Sequence, residues 1–511
     1  MLAAVATRSQ RPARAIRRAL ATLPSRRRLS TGACTAPPDW GPSPGTLLPL
    51  AIYVHWPFCA HLCPCCNFNK YKPPAADLAP GPTGQSFTDS LGAAVLAELR
   101  RGIQRVTPVP GQSAARPTHL PTSLYFGGGT PSLMPMDAVR EIIDYVRSLR
   151  GVILSGVSPL LSEVPNDLEI TLEANPTDHH LFAGFHHAGV NRLSLGIQSL
   201  DAGHLAAIGR SHTTSDAMEA IAEAKKIAFS RGVTYDLMFG LPGQGVDQWH
   251  EELSVRIRST TYHLSLYQLT VEPHTPLQKV LTSPDRLSGL ASAWALPLRR
   301  LPPMPTEEAI EKMHELTDGL CEAHGLHRYQ VSNWARALSP DQLATGFESQ
   351  HNSAYWNGTD YVGVGPGAHG RFTRLTDGMR VRTRSIPEPK RWLSAVQSGA
   401  SPEVCTVLSA QEARDELVCL GSQQRQGLVR ERIGRALSAP AAPAWKDVID
   451  MTAVPDLVAG GFVEFTKPVR QSSRPTGEIV VEDPDMAAAM RVTRRGLLVA
   501  DTLMGKLVKI D

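Results

Sequence analysis

The stretch that decides the fold is Ala51-Ile-Tyr-Val-His-Trp-Pro-Phe-Cys-Ala-His-Leu-Cys-Pro-Cys-Cys-Asn-Phe68, where a short apolar run leads directly into cysteines spaced CxxxCxxC. The run has the β-branched and aromatic residues of a strand. Three cysteines on one loop ligate three irons of a cubane cluster and leave the fourth iron open, whereas a structural zinc ion needs four protein ligands. The spacing therefore predicts a 4Fe-4S cluster held by Cys59, Cys63 and Cys66.

A zinc site is the alternative, and it would need His55 or His61 as its fourth ligand. A disulfide framework does not fit, because cysteines this close in sequence cannot all form unstrained bridges with one another. The thiols are therefore expected to be reduced. Buried apolar positions are the expected environment of the four scattered cysteines, which are Cys34, Cys321, Cys405 and Cys419.

Outward from this loop, from about residue 50 to 275, the sequence repeats a strand-like run followed by a stretch of helical period. The predicted strands are Ala51–His55, Ser123–Phe126, Leu168–Glu173, Arg192–Gln198, Thr234–Phe239 and His263–Thr270. The predicted helices between them include Phe87–Ile103, Met136–Leu149, Ser215–Phe229 and Val246–Ile257. Six βα units are fewer than the eight of a closed barrel, so a partial barrel or a doubly wound sheet is expected.

Two stretches without a clean period interrupt this array, Ser155–Pro165 and Thr282–Pro305, and both are interpreted as insertions or linkers. The predicted organisation is an α/β barrel domain over residues 48–280, a linker or insertion over 281–305, and a smaller, mainly helical α+β domain over 306–511. A short strand is predicted at Ile479–Glu482, and the apolar stretch Gly496–Val508 is predicted to be helical.

The N-terminal 33 residues contain eight arginines and no acidic residue. Subtracting those charges from the net +4 leaves about −4 for the rest of the chain, so the basicity belongs to the leader and does not indicate nucleic-acid binding. A cationic, acid-free start predicts a mitochondrial transit peptide over residues 1–33; a disordered basic arm that is retained is the alternative. The 42% hydrophobic and 20% charged composition is globular, and no apolar run is long enough to span a membrane.

Polar residues follow or end several predicted strands. Gly127-Gly-Gly-Thr-Pro131 comes directly after the second strand, where glycines let the backbone approach a ligand. Glu173, Gln198 and Asp236 end or lie in the third, fourth and fifth strands. Carboxyl ends of parallel strands converge on one pocket, so these side chains are predicted to share it, with Arg210 able to reach a carboxylate.

Together these segments resemble the radical S-adenosylmethionine (SAM) superfamily. Within it, the resemblance is to the branch that contains oxygen-independent coproporphyrinogen dehydrogenase and the heme chaperone HemW, including its mitochondrial members. It is carried by Gly127-Gly-Gly-Thr-Pro-Ser132, Glu173-Ala-Asn-Pro176, Val190-Asn-Arg-Leu-Ser-Leu-Gly-Ile-Gln-Ser199, Gly240-Leu-Pro-Gly-Gln244 and Leu266-Tyr-Gln-Leu-Thr-Val-Glu-Pro273. The resemblance implies a partial (β/α)6 barrel, a 4Fe-4S cluster on the three cysteines, and SAM contacts from Tyr53, Gly128, Gly129, Thr130, Glu173, Gln198, Arg210 and Asp236.

Phe68 separates the two functions of this branch. The coproporphyrinogen enzyme has a further cysteine two residues beyond the third cluster cysteine, and Phe68 occupies that place here, so the resemblance favours HemW. Two other positions depart from the family pattern. Cys65 replaces an aromatic residue, and His274 stands where relatives tend to have glycine.

The C-terminal region contains His351-Asn-Ser-Ala-Tyr355-Trp356. From residue types alone, a histidine with two aromatic neighbours is more often packed structure than a heme site. The HNxxYW pattern resembles the heme-binding motif proposed for HemW, which implies heme contacts from His351, Tyr355 and Trp356. His369 is the weaker rival for the heme iron.

The function that the resemblance implies is a mitochondrial heme chaperone that binds heme, a 4Fe-4S cluster and SAM. Expected partners are client hemoproteins of the respiratory chain and an electron donor, and a homodimer is a further expectation. The alternative is a radical SAM enzyme that oxidises a porphyrinogen or another small substrate.

Overall fold

The computed structural model describes residues 47–74, 86–106, 118–155, 167–259, 262–282, 301–336, 346–374, 377–437, 439, 442–466, 487–497 and 500–508. The predicted transit peptide, most of the two interrupting stretches and the predicted strand at residues 479–482 lie outside these ranges. No helix within them is both long and apolar enough to cross a membrane.

The strands in the described part of the chain are β1 (Leu47–Trp56), β2 (Thr118–Gly128), β3 (Glu169–Ala174), β4 (Arg192–Gln198), β5 (Val233–Phe239), β6 (His263–Gln268), β7 (Leu326–Gln330), β8 (Asn333–Arg336), β9 (Asp360–Val364), β10 (His369–Thr373), β11 (Arg380–Ser385), β12 (Glu403–Val407), β13 (Leu428–Val429), β14 (Val463–Thr466) and β15 (Ala489–Val492). The helices are α1 (Phe87–Val106), α2 (Met136–Ser155), α3 (Phe182–Ala188), α4 (Ala202–Ala207), α5 (Thr214–Ile227), α6 (Val246–Ser259), α7 (Pro276–Thr282), α8 (Glu307–Ala323), α9 (Gln350–Trp356), α10 (Pro389–Gln397), α11 (Ala410–Gly421), α12 (Arg430–Ala436), α13 (Trp445–Val448), α14 (Val454–Ala459), α15 (Arg494–Leu497) and α16 (Ala500–Leu507).

One large sheet organises the molecule, in the order β12-β11-β10-β9-β1-β2-β3-β4-β5-β6-β8-β7. Strands β1 to β6 are parallel and lie side by side in chain order. This confirms the predicted six-unit, partial-barrel α/β fold. Strands from the C-terminal region extend both edges, with β9 parallel to β1 and β8 antiparallel to β6.

The two faces of the six parallel strands differ in chemistry. Residues such as Leu50, Ile52 and Val54 are fully buried on the outer face, where they pack with helix residues such as Val139 and Ile142 in one hydrophobic core. Because side chains alternate along a strand, the intervening positions share the opposite face. That inner face carries mainly polar and aromatic side chains, namely Tyr53, His55, Ser123, Tyr125, Glu169, Glu173, Arg192, Ser194, Asp236, Ser265 and Tyr267.

A separate core forms at the C-terminal end of the chain. Helices α11 to α14 and α16 pack with the small sheet β13-β15-β14 around the fully buried Trp445. The helix-rich character predicted for this region is confirmed. The C-terminal region therefore contributes strands to the main sheet and also builds a small core of its own.

Helix α9 covers the inner face at the amino ends of β3 and β4. Its N-cap residue Ser349 donates from its hydroxyl to Glu169 Oε1 at 3.2 Å, and the backbone N–H of His351 donates to the same oxygen at 3.1 Å. Arg192 Nη1 lies 3.4 Å from the other oxygen of Glu169, and both side chains are at most 2% exposed. A buried ion pair on β3 and β4 thus fixes a helix that lies about 180 residues later in the chain.

His274, just before α7, has a left-handed backbone with φ of 67°. A residue with a Cβ is strained there by about 1–2 kcal/mol, and glycine is not. We expect His274→Gly to stabilise the fold by about 0.5–1 kcal/mol, since glycine's greater chain entropy offsets part of the gain. Urea unfolding checks this prediction. His274→Ala keeps the Cβ and should give no gain, so equal shifts from the two variants would contradict it.

Candidate functional site

The cysteine loop is closed at its base by backbone hydrogen bonds. The N–H of Cys59 donates to the carbonyl of Tyr71 at 2.9 Å, and the N–H of Tyr71 donates to Pro57 at 2.8 Å. The loop begins where β1 ends, so it stands at the carboxyl ends of the parallel strands, where ligands bind in such folds.

The glycine segment after β2 anchors this loop. The N–H of Gly129 donates to Trp56 at 2.7 Å, and a Cβ on Gly129 would lie 2.6 Å from the carbonyl oxygen of Phe58. Gly128 has φ of 114°, and a Cβ there would lie 2.7 Å from the ring of His55. Both glycines are therefore needed for the close approach of β1 and β2.

The three cysteines of the CxxxCxxC spacing lie within electrostatic reach of one another. Burial raises the pKa of Cys59 to about 11, although a hydrogen bond with Thr130 opposes the shift. Burial also raises the pKa of Cys66. Among the described residues, no three His, Cys, Asp or Glu side chains are gathered at the spacing of metal ligands. Because thiolates are the form that ligates iron, cluster loading would release the protons of Cys59 and Cys66.

Cys65 is packed differently from its neighbours. Its thiol lies 3.9 Å from the carbonyl oxygen of Ile208, and the side chain packs against an apolar cluster of Ile208, Leu241, Leu269, Leu277 and Val280. Burial raises the pKa of Cys65 to about 12. This environment suits a neutral thiol that acts as an apolar residue.

Two carboxyl groups, on β3 and β5, lie within electrostatic reach of each other on the inner face. Glu173 Oε1 accepts a 2.6 Å hydrogen bond from the hydroxyl of Tyr125, and its carboxylate also accepts the N–H of Gly128. Asp236 accepts a 3.1 Å bond from Ser194. Burial and the charge of Glu173 raise the pKa of Asp236 to about 7, and burial also raises the pKa of Glu173. A cation placed between these groups would favour their ionised forms.

Arg210 connects the cysteine loop to the strand ends. Its Nη2 donates to Asn175 Oδ1 at 2.8 Å and to the carbonyl of Gly196 at 2.7 Å, while Nη1 lies 3.9 Å from Cys63 Sγ. Gln198, at the end of β4, has a left-handed φ of 66°. Such strain in a residue other than glycine occurs often at functional sites.

Tyr53 belongs to a chain of hydrogen bonds at the end of β1. Its hydroxyl donates to His55 Nδ1 at 3.0 Å, and His55 Nε2 donates to the carbonyl of Asn69 at 2.9 Å in the tautomer that satisfies both contacts. Burial lowers the pKa of His55 to about 4, which keeps the ring neutral. The chain of bonds ties the base of the cysteine loop to the inner face.

The HNxxYW segment lies in α9, which covers the inner face at the amino ends of β3 and β4. The His351 ring stacks on Tyr125 with centroids 4.7 Å apart and meets Tyr355 edge-on, also at 4.7 Å. His351 is only 1% exposed, and its Nδ1 shares a 3.0 Å hydrogen bond with Ser123. Its Nε2 has no hydrogen-bond partner among the described residues. Burial lowers its pKa to about 3. Trp356 is likewise buried, at 8% exposure.

Comparison with known proteins identifies the family to which the chain belongs. The model of the radical SAM superfamily matches residues 53–254. Mitochondrial radical S-adenosyl methionine domain-containing protein 1 of Danio rerio is 33% identical over 394 residues, covering 76% of each chain. The chain belongs to the radical SAM superfamily.

Other relatives within the radical SAM superfamily include the Mus musculus protein of the same name, 35% identical over 75% of this chain and 74% of its own. The heme chaperone HemW of Escherichia coli is 31% identical over 68% of this chain and 76% of its own. The structure of the radical SAM enzyme coproporphyrinogen III oxidase (HemN) from Escherichia coli matches with a TM-score of 0.59 and 17% identity, over 90% of each chain. This structural similarity supports the fold described above.

The superfamily implies a 4Fe-4S cluster and SAM, and the residues present fit both groups. Three thiols on one loop suit three irons, and the carboxyl groups of Glu173 and Asp236 on the inner face suit the cationic parts of SAM. The expected SAM contacts lie on the inner face of the sheet and on its adjoining loops. Thr130 belongs to the same network, because its side chain contacts Asn175, the partner of Arg210, and the cluster cysteine Cys59.

Sequence reasoning missed three residues of this radical SAM site. Tyr125 precedes Gly127 by two residues and so shares its face of β2, a signal that strand alternation could have supplied. Asn175 lies within the quoted Glu173 segment but gave no sign that it would contact Arg210. His55 was considered only as a zinc ligand, whereas the structure places it in the hydrogen bonds of Tyr53.

Proposed function

We propose that this protein is a mitochondrial heme chaperone that binds a 4Fe-4S cluster, SAM and heme and delivers heme to client hemoproteins of the respiratory chain. Support comes from relatives named as mitochondrial or as heme chaperones. The leader of eight arginines agrees with a mitochondrial location. An electron donor and a homodimeric state belong to the same proposal.

The observation that carries the proposal is Phe68. It occupies the place of the further cysteine in the coproporphyrinogen enzyme and is 39% exposed on the cysteine loop. A phenyl side chain cannot ligate iron, but it can cover part of an apolar macrocycle. Heme is thus expected as cargo, and oxidation of a porphyrinogen is not expected.

In this proposal, Cys59, Cys63 and Cys66 hold the cluster and Cys65 stays in its apolar environment. Glu173 and Asp236 bind the cationic parts of SAM, and Arg210 orients its carboxylate. The bound cluster supplies the electron for any reductive cleavage of SAM. The fourth cysteine of the loop, Cys65, acts only in packing.

The carboxyl pair makes SAM binding dependent on pH. Asp236 has a pKa of about 7 without a bound cation, so it loses its charge as the pH falls below this value. We expect the affinity for SAM to fall by up to about tenfold per pH unit below 7, the limit for one linked proton. Equilibrium dialysis of the cluster-loaded protein between pH 8 and 6 measures this.

The control ligand is S-adenosylhomocysteine, which lacks the sulfonium charge and should show a weaker pH dependence. Asp236→Asn removes the titrating group and should flatten the profile for SAM. If the variant keeps the full dependence of the parent protein, Asp236 is not the titrating group.

Hemin titration after anaerobic cluster reconstitution tests the function itself. A chaperone should gain a Soret band with a saturable endpoint and should not oxidise coproporphyrinogen when SAM and a reductant are present. Stoichiometric oxidation of coproporphyrinogen would replace the proposal with the enzyme. Absence of hemin binding would refute the chaperone.

The location is tested separately with a fluorescent fusion. The intact chain should enter mitochondria, and deletion of residues 1–33 should leave the fusion in the cytosol. A cytosolic location of the intact fusion would contradict the proposed transit peptide.

A further inference from the structure

The position of His351 raises the question of where heme iron can bind. Its ring is 1% exposed and lies between Tyr125 and Tyr355. A macrocycle has no access to Nε2 unless α9 leaves the sheet, which would break the hydrogen bonds of Glu169 to Ser349 and His351. A histidine that faces solvent is a better ligand for cargo that must enter and leave.

The inner face continues beyond β1 onto strands β9 to β11. Ala51, on the same face as Tyr53, is opposite Tyr361 of β9, and Tyr361 is opposite Arg371 of β10. The next positions on this face are His369 of β10, which is solvent-exposed, and its direct partner Arg384 of β11, also exposed.

Arg382 lies opposite Arg371, so three arginines and a histidine share one small area. Like charges at directly opposite positions destabilise a sheet unless an anion lies between them. Glu416 neutralises Arg371 through contacts of 2.9 Å. Within the described part of the chain, no carboxylate lies within 4 Å of Arg382 or Arg384. Two cations on this surface therefore remain available for an anionic ligand.

Exposed apolar side chains lie on β12 and on the cysteine loop. Val404 lies directly opposite Arg384 on the edge strand β12 and is 62% exposed. Phe68 is 39% exposed on the cysteine loop. That loop contacts the β9–β10 turn, because Asn69 Nδ2 donates to the carbonyl of Pro366 at 2.9 Å. An apolar ligand with two negative charges fits such a surface.

We propose that heme binds on this part of the inner face, with His369 as the iron ligand and Arg382 and Arg384 holding the two propionates. This inference rests on the proposed heme-binding function and names its site. Cross-strand partners are about 5 Å apart and diagonal neighbours about 7–8 Å, so both arginines stand close beside His369. Their long side chains extend to the rim of a flat macrocycle whose centre lies over the imidazole.

The environment of His369 suits a metal ligand. Partial burial, followed by the charges of Arg371 and Arg384, lowers its pKa to about 4. The imidazole is therefore neutral at physiological pH and keeps a lone pair for iron. Iron ligation by neutral imidazole is a common axial arrangement in heme proteins.

The test titrates the full-length, cluster-loaded protein with hemin and with hemin dimethyl ester, whose propionates are uncharged. His369→Ala should shift the Soret maximum and weaken hemin binding by at least about tenfold. The double variant Arg382→Gln/Arg384→Gln should weaken hemin binding by a similar factor and leave binding of the ester unchanged. The control, Arg140→Gln/Arg435→Gln, removes two arginines that are about half exposed on α2 and α12, outside the proposed surface, and should bind both ligands like the parent.

The possible results distinguish failure of the proposed heme site from failure of the proposed heme-binding function. If the parent binds hemin but His369→Ala or the double arginine variant binds it unchanged, the proposed site is wrong and heme binding stands. A parent protein that binds hemin and its ester equally well also refutes the role of the arginines. If the parent binds neither ligand, the site and the chaperone function both fail.

Discussion

Replacing Cys59, Cys63 or Cys66 by alanine should abolish the 4Fe-4S cluster, whereas Cys65→Ala should retain it. Each of the three thiols supplies an iron ligand that no nearby side chain replaces in this proposal. Cys65 instead packs against the apolar cluster around Ile208. Iron and sulfide content after anaerobic reconstitution measures the effect, together with the electron paramagnetic resonance signal of the reduced cluster.

Cys65→Ala is the matched control, since it removes a thiol from the same loop and makes the same chemical change. SAM should alter the resonance signal in this variant as in the parent, because the open iron gains ligands. Loss of the cluster in Cys65→Ala, with retention in Cys66→Ala, would show that the ligand assignment is wrong.

Glu169→Ala should lower the free energy of unfolding by about 3–5 kcal/mol. The change leaves Arg192 charged in a position that is 2% exposed and removes the acceptor for two groups of α9. A buried charge without its partner is among the more costly defects in a protein interior. Urea unfolding followed by circular dichroism measures the loss, and limited proteolysis reports whether α9 is released.

Glu223→Ala is the control for this prediction, because Glu223 pairs with Lys226 on a helix surface where the lysine is 72% exposed. Loss of that pair should cost less than about 1 kcal/mol. The double variant Glu169→Ala/Arg192→Met removes both buried charges and should recover part of the stability. Equal losses from Glu169→Ala and Glu223→Ala would mean that the buried pair does not hold the fold.

Local patterns predicted the six parallel strands well. The prediction for β4 matches its observed limits, because apolar residues alternate with Arg192, Ser194 and Gly196 and only one face can meet the helices. Glycine and polar breaks marked the strand ends closely enough to locate the candidate site. The alternation of apolar residues and the glycine or polar breaks both depend on residues close together in sequence, so one sequence is enough to reveal them.

Contacts between distant parts of the chain were not predictable in the same way. Nothing in the sequence around His351 indicates that its backbone N–H meets Glu169, which lies 182 positions earlier. The pairing of β9 with β1 likewise depends on tertiary packing. The HNxxYW resemblance placed His351 ahead of His369 as a heme ligand, and the exposure of His369 becomes visible only in the assembled sheet.

Helix α9 also has a consequence for the order in which the chain folds. A nascent polypeptide that ends at α7 already contains β1 to β6 but lacks the segment that binds Glu169 and Arg192. Contacts across some 180 residues form late, because closing so large a loop costs entropy before any packing is gained. We therefore expect an early, partly hydrated intermediate. In it, the inner face stays exposed to water at the amino ends of β3 and β4 until the last third of the polypeptide has emerged.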